Sequence, residues 1–332
     1  MKNLISVLQK EKVLDQWTFM GHKIVSVDGT GFFSSPKIHC EECCTKKNKK
    51  GEVQTYYHQM LVGSIVHPYQ KCVFPVLYEP ICKKDGDEKN DCERNAAKRF
   101  FKKYREDYPQ MPTIVVADGL NANAPYIQAL QEARCRYILV CKEGDHTYLT
   151  EWFWHADPHD APDWCEQNSE KYMRYRYMTD VPLNDTNDDL KVNVVYLEET
   201  DLKTDKTTKW MWVTDLVPTK ENIKNIILAG RTRWKIENET FNTLKNQGYH
   251  FEHNFGHGYK TLSNLLAGLM LCAFLVDQIV LAFDIKVQAC LEKLKRLCRL
   301  REKEQSMFRS FYIMNWDALY NAILAPPRFE IA

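Results

Sequence analysis

Apolar and polar positions alternate from residue 22 to residue 35 around Val27-Asp28-Gly29-Thr30, a pattern that predicts a strand with a turn signal at its acidic end. Two further strands are predicted at 56–66 and 73–77. Residues 40–51, rich in Lys and Asn, then form a hairpin excursion between the first two strands. A charged, helix-forming stretch at 91–108 leads into the apolar run Thr113-Ile114-Val115-Val116-Ala117, which ends in Asp118-Gly119. A helix at 124–134 and a buried strand at 137–141 follow, and this strand–helix–strand alternation predicts a parallel α/β element. From 145 to 216 the pattern changes. Aromatic and β-branched strands are expected at 172–178, 192–197 and 209–214, with no helix between them, which reads as a β-rich insertion. Helical periodicity returns at 219–247, in the apolar stretch Leu262–Phe283 and in a basic amphipathic stretch at 285–303.

Composition adds little beyond a packed globular chain: of 332 residues, 44% are hydrophobic, 27% charged and 12% aromatic. Asn264, Gly268 and Asp277 interrupt the longest apolar stretch, which is therefore expected to be a buried helix rather than a membrane span. The first twelve residues lack an apolar core with a cleavage site, so a cytoplasmic protein without membrane association is expected. In that reducing compartment the twelve cysteines are read as thiols or metal ligands, not as a disulfide framework. The net charge of +1 hides local basic clusters at Lys46, Lys47, Lys49 and Lys50 and along 286–301, which permit nucleic-acid binding without requiring it.

The chemistry resides in the acids. Asp28 and Asp118 each end a predicted strand, and carboxylates at the C-terminal ends of neighbouring parallel strands lie side by side where α/β folds bind ligands. Such a pair keeps a proton or gathers a cation, and hard oxygen ligands suit Mg2+ or Mn2+. Glu237 is the candidate third ligand. It sits in Arg233-Trp234-Lys235-Ile236-Glu237 on a predicted helix whose apolar side can hold it against the sheet. An alternative phosphatase motif, D-x-D-G-T, fails because Ser26 stands where its nucleophilic Asp would be.

With Val27-Asp28-Gly29-Thr30, Val116-Ala117-Asp118-Gly119-Leu120 and Arg233-x-x-x-Glu237 in place, the chain resembles the DDE transposases of bacterial insertion sequences, almost from end to end. The resemblance implies an α/β fold with a ribonuclease-H-like mixed sheet flanked by helices, a β-rich insertion between the second Asp and the Glu, and a helical C-terminal part. It divides the chain into an N-terminal remnant (1–21), a core in two parts (22–144 and 217–284), the insertion (145–216) and a basic C-terminal region (285–332). It also implies two divalent ions held by Asp28, Asp118 and Glu237, cleavage of DNA at element ends, strand transfer into target DNA, and a homodimer when bound to DNA. Arg231, Arg233, Lys245, Lys142 and Trp234 are the expected DNA-binding residues. The chain departs from the family's pattern in two places. Gly230 stands where the signature has Tyr, and Leu244 where it has Lys, with Lys245 one residue late. Only 27 residues precede Asp28, fewer than in relatives with an end-recognition region, so a truncated, non-catalytic DNA-binding remnant stands as one alternative; a metal nuclease that shares the acids but does not transfer strands stands as another.

Two smaller motifs remain. Cys40 and Cys43 form a C-x-x-C that could supply half of a zinc site, with His39, His58 or Cys72 as further ligands; a reduced hairpin tip is the alternative. His253 and His257, in the turn after the Glu237 helix, either approach the acids or simply end the helix. Trp152, Trp154, Trp210 and Trp212 are candidates for stacking an unpaired base, with core packing the alternative for most of them and the preferred reading for Trp210 and Trp212, which share one face of a strand.

Overall fold

The computed structural model describes residues 1–82, 93–258 and 261–326. The strands are β1 (Thr18–Phe19), β2 (His22–Ser35), β3 (Cys44–Lys47), β4 (Val53–Val66), β5 (Phe74–Ile81), β6 (Thr113–Ala117), β7 (Arg136–Val140), β8 (Asp163–Gln167), β9 (Lys171–Asn184), β10 (Asn187–Asp201) and β11 (Lys206–Thr214). The helices are α1 (Lys2–Lys10), α2 (Glu93–Asp107), α3 (Ala124–Glu132), α4 (Thr147–His155), α5 (Ile223–Arg231), α6 (Asn242–Asn246), α7 (Leu262–Phe283), α8 (Ile285–Leu294), α9 (Leu297–Ser310) and α10 (Trp316–Leu324). A π-helical segment, Ile236–Phe241, runs directly into α6.

All eleven strands join one mixed sheet in the order β3-β4-β2-β6-β7-β11-β10-β9-β8, with β5 added to β4 and β1 to β2. The antiparallel strands β2, β4 and β5 form one side of its centre, while β2, β6 and β7 run parallel. Strand β11 returns antiparallel against β7, which makes β8–β11 an extension of the same sheet. Alternation in the strands explains the layering. Val25, Val27, Val115 and Leu139 face one core with α2 and α3, and Ile24, Val116 and Ile138 face a second core with α5 and the Glu237 helix.

Several elements differ from the sequence expectation. Residues 145–216 are β-rich, with strands β8–β11, and also carry α4, which the sequence pattern does not predict, with Leu149 and Phe153, four residues apart, buried. The basic stretch at 285–303 is not one helix. Lys295 takes a left-handed backbone conformation (φ 66°) and splits it into α8 and α9. Helix α7 is long and apolar enough, by length and composition, to cross a membrane. Its buried residues, Ala267, Leu271, Phe274 and Leu275 among them, form one side, while Leu265, Leu269 and Val276 are exposed. The expected buried helix is thus buried along one side.

Candidate acidic site and a cysteine–histidine cluster

The parallel ladder ends where Ser26 pairs with Val116, so Asp28 and Asp118 each lie two residues beyond the last pair. Because β2 runs on to Ser35 while β6 stops at Ala117, Asp28 stands beside an opening in the sheet. Asp28 also has the parity of Ser26, whose buried hydroxyl donates to the Arg233 carbonyl at 3.0 Å. That bond fixes the break between α5 and the Glu237 helix over β2. A second tie runs between the buried hydroxyls of Ser64 and Thr240, 3.3 Å apart. The Lys235 ammonium, nearly buried, donates to the carbonyls of His67 and Gln70, both at 2.6 Å, and so pins the same helix from below. Glu237 lies in the π-helical turn, a distortion often found where a side chain must be re-aimed.

Arg233 links the acids across this junction. Its guanidinium is 2.5 Å from the Glu237 carboxylate and 3.8 Å from that of Asp28. Glu93, at the start of described α2, joins the group from the opposite face. A Cβ on Gly29 would overlap its carboxylate, so glycine at 29 is what admits Glu93 to the site. Burial raises the Asp28 carboxyl to about 6, with Glu237 and Glu93 adding to the rise and the Gly29 amide and Arg233 opposing it. Burial also raises Glu93, and Asp118 adds to the rise. The Tyr126 hydroxyl is buried without a hydrogen-bond partner, and its proton is held more tightly by burial and by the nearby Asp28 and Glu93.

Asp28 and Glu237 therefore meet across Arg233, while Asp118 is near Glu93 on the neighbouring strand end, and the three acids do not close around a point. Among the described residues, the one set of three or more ligand atoms lying within 4.8 Å of one another is elsewhere. The Arg233 guanidinium lies between Glu237 and Asp28.

The expected DNA-binding residues are dispersed around this edge. Lys142 is exposed, with its side chain over Gly119, directly after Asp118. Trp234 is 43% exposed beside Arg233. Arg231 turns toward the insertion, 3.5 Å from Glu199 and with its guanidinium 4.7 Å from the centre of the Trp210 ring. Lys245 pairs with Glu252 at 2.8 Å. Both departures from the signature have packing causes. A Cβ on Gly230 would lie 2.7 Å from Trp212 Nε1, and Leu244 is fully buried in the second core. Trp212 is buried and Trp210 partly so, whereas Trp152 is 49% exposed on α4.

The other set of ligand atoms is Cys40, Cys43, His58 and His257. The hairpin between β2 and β4 brings Cys40, Cys43 and His58 together, and the segment before α7 delivers His257. Of the further ligands considered from sequence, His58 is present. His39 instead stacks on Tyr56 with ring centres 4.2 Å apart, and Cys72 accepts a bond at its carbonyl from Trp17 in another part of the fold. His257 belongs to this cluster and not to the acids. The arrangement can hold a metal ion.

No family model matches the chain, and no curated protein matches it.

Proposed function

We propose that this chain is a DDE-type DNA transposase, cutting DNA strands at element ends and joining them to target DNA from a ribonuclease-H-like core. The observation that carries this reading is the helix presenting Glu237 to Asp28 across Arg233, with Asp28 and Asp118 each two residues past the last pair of the β2–β6 parallel ladder. The mixed run β5-β4-β2-β6-β7 with helices on both faces supports the ribonuclease-H-like description, as does the insertion of β8–β11 between Asp118 and Glu237.

The donor set suits hard divalent cations: carboxylates from three elements, one of them with its proton affinity raised by burial and by neighbouring acids. Asp28, Asp118 and Glu237 would hold Mg2+ or Mn2+, two ions by the family resemblance. When bound, such ions supply an activated oxygen nucleophile and stabilise the leaving oxygen of a phosphodiester. For that, Arg233 swings away from Glu237 and Asp28, and its guanidinium pairs with a backbone phosphate. Lys142 lies on the Asp118 side for the same purpose. DNA and a second copy of the chain are the partners in this reading.

The test uses duplexes carrying the sequences that flank the coding region, pre-cut to leave a 3′ hydroxyl, with supercoiled plasmid and Mg2+ or Mn2+. Joined product is expected, and Asp28→Ala, Asp118→Ala and Glu237→Ala are each expected to abolish it while the circular dichroism spectrum is kept. Nicking without joining would replace this reading by a metal nuclease. Joining retained in any one variant would remove that residue from the site.

A further inference from the structure

We propose that Cys40, Cys43, His58 and His257 form a structural zinc site that locks the hairpin between β2 and β4 to the segment entering α7. The distances carry the assignment. Zn–S bonds of about 2.3 Å and Zn–N bonds of about 2.0–2.1 Å in a tetrahedron require edges of about 3.8 Å for S···S and about 3.6 Å for S···N. Cys40 Sγ and Cys43 Sγ are 3.9 Å apart, and each lies 3.4 Å from His58 Nε2. Cys43 Sγ is 3.2 Å from His257 Nε2. Four soft or borderline donors thus stand at the corners of a shape that fits one ion.

The surroundings agree with this use. His58 is 1% exposed and Cys43 2%. Among the described residues, the hydrogen-bond partners of both Nε2 atoms are sulfurs. The backbone amide of Cys40 points at Cys43 Sγ at 3.4 Å, a contact that stabilises a thiolate. Phe32 stacks on the His58 ring and Phe33 packs 4.2 Å from that of His257, so β2 walls the site from solvent. A disulfide between Cys40 and Cys43 would need the sulfurs at about 2.05 Å and would leave both imidazoles facing sulfur for no purpose. Cys43 and His257 are separated by 214 positions, so an ion here closes a very long loop.

The inference is independent of the transposase reading, since it predicts the same metal content in Asp28→Ala as in the wild type. The experiment is metal analysis of untagged protein purified under reducing conditions, followed by replacement with Co2+. About one zinc per chain is expected, and the Co2+ form is expected to show tetrahedral d–d bands with a thiolate charge-transfer band. Cys43→Ser and His257→Asn are each expected to lose the metal, and His39→Asn and Cys165→Ser to keep it. Should Cys43→Ser fail to fold, the half-buried Cys40→Ser takes its place, with loss of the charge-transfer intensity as the readout. Folded wild-type protein without zinc, and with a Cys40–Cys43 disulfide or two free thiols by mass spectrometry, would overturn the proposal. So would metal retained in both Cys40→Ser and His257→Asn.

Discussion

Asp28 carries an energetic burden that the Gly29 amide and Arg233 relieve only in part. Its carboxyl is raised to about 6, first by burial and then by Glu237 and Glu93. In the unfolded chain an Asp titrates near 3.9, so between about pH 4 and 6 the folded protein holds a proton that the unfolded chain has lost. Stability is therefore highest below this window, falls as the pH rises through it and stays lower above. The difference is worth about 3 kcal/mol, on the order of 1.4 kcal/mol per pH unit of displacement. In metal chelator, Asp28→Asn is expected to melt higher than wild type at pH 7.5 and equally at pH 4. An equal melting temperature at both would mean that the carboxylate is better solvated than its position indicates. Glu93 acts at the same scale. Glu93→Gln removes one of the charges that press on Asp28, so the pH at which the metal-free protein loses stability is expected to move down toward the ordinary carboxylate range. A titration midpoint unchanged in Glu93→Gln would separate Glu93 from the acidic group.

The element that matters most is the broken helix from α5 to α6, because it brings Glu237 to the sheet. Its docking depends on Gly230, where the Trp212 indole leaves no room for a side chain. Gly230→Ala is expected to cost about 1–3 kcal/mol by overpacking, even though alanine is the better helix former. Asn225→Ala, on the exposed side of the same helix, is expected to be neutral or slightly stabilising; equal denaturation midpoints for the two variants would refute the close contact. The same element shows what the sequence makes legible. Strand periodicity and acidic turns are local signals, so Asp28 and Asp118 could be placed from their own neighbours. The helix of Glu237 was visible as periodicity, but its π-helical turn and the Ser26–Arg233 tie depend on a strand about 200 positions earlier in the chain. Glu93 had no signal at all, because its place follows from a helix end meeting Gly29 across the sheet. In the same way, the C-x-x-C marked two ligands of the second cluster, while His257 became one only when α7 folded back toward the hairpin. α4 was missed because its aromatic run also suits a strand, and the apolar pair Leu149 and Phe153 is too short a helical signal to outweigh it.

At the scale of the whole molecule, the two faces of the sheet hold the main cores, while α8, α9 and α10 enclose a small separate one around Val287, Cys290, Leu300 and Leu319. A core of that size has little apolar area with which to stand alone. Val280 and Leu281 of α7 pack against it, and the polar contacts that tie it to the rest centre on Arg301. From α9 the guanidinium reaches Asp277 on α7 at 2.6 Å, Glu304 at 2.8 Å and the Tyr249 hydroxyl at 3.2 Å, and Tyr249 itself donates to Asp277. The Arg301 side chain is only 17% exposed, so its loss leaves two partly buried carboxylates without a cation. Arg301→Met, which keeps most of the side-chain volume, is expected to cost about 2–3 kcal/mol. The cost should fall unevenly. Amide hydrogen exchange in α8, α9 and α10 is expected to accelerate well before that of β2, β4 and β6, because the small core opens without the sheet. If exchange instead rises equally in the helices and the central strands, the C-terminal helices belong to the same cooperative unit as the sheet, and Arg301 is one contact among many rather than the link between two cores.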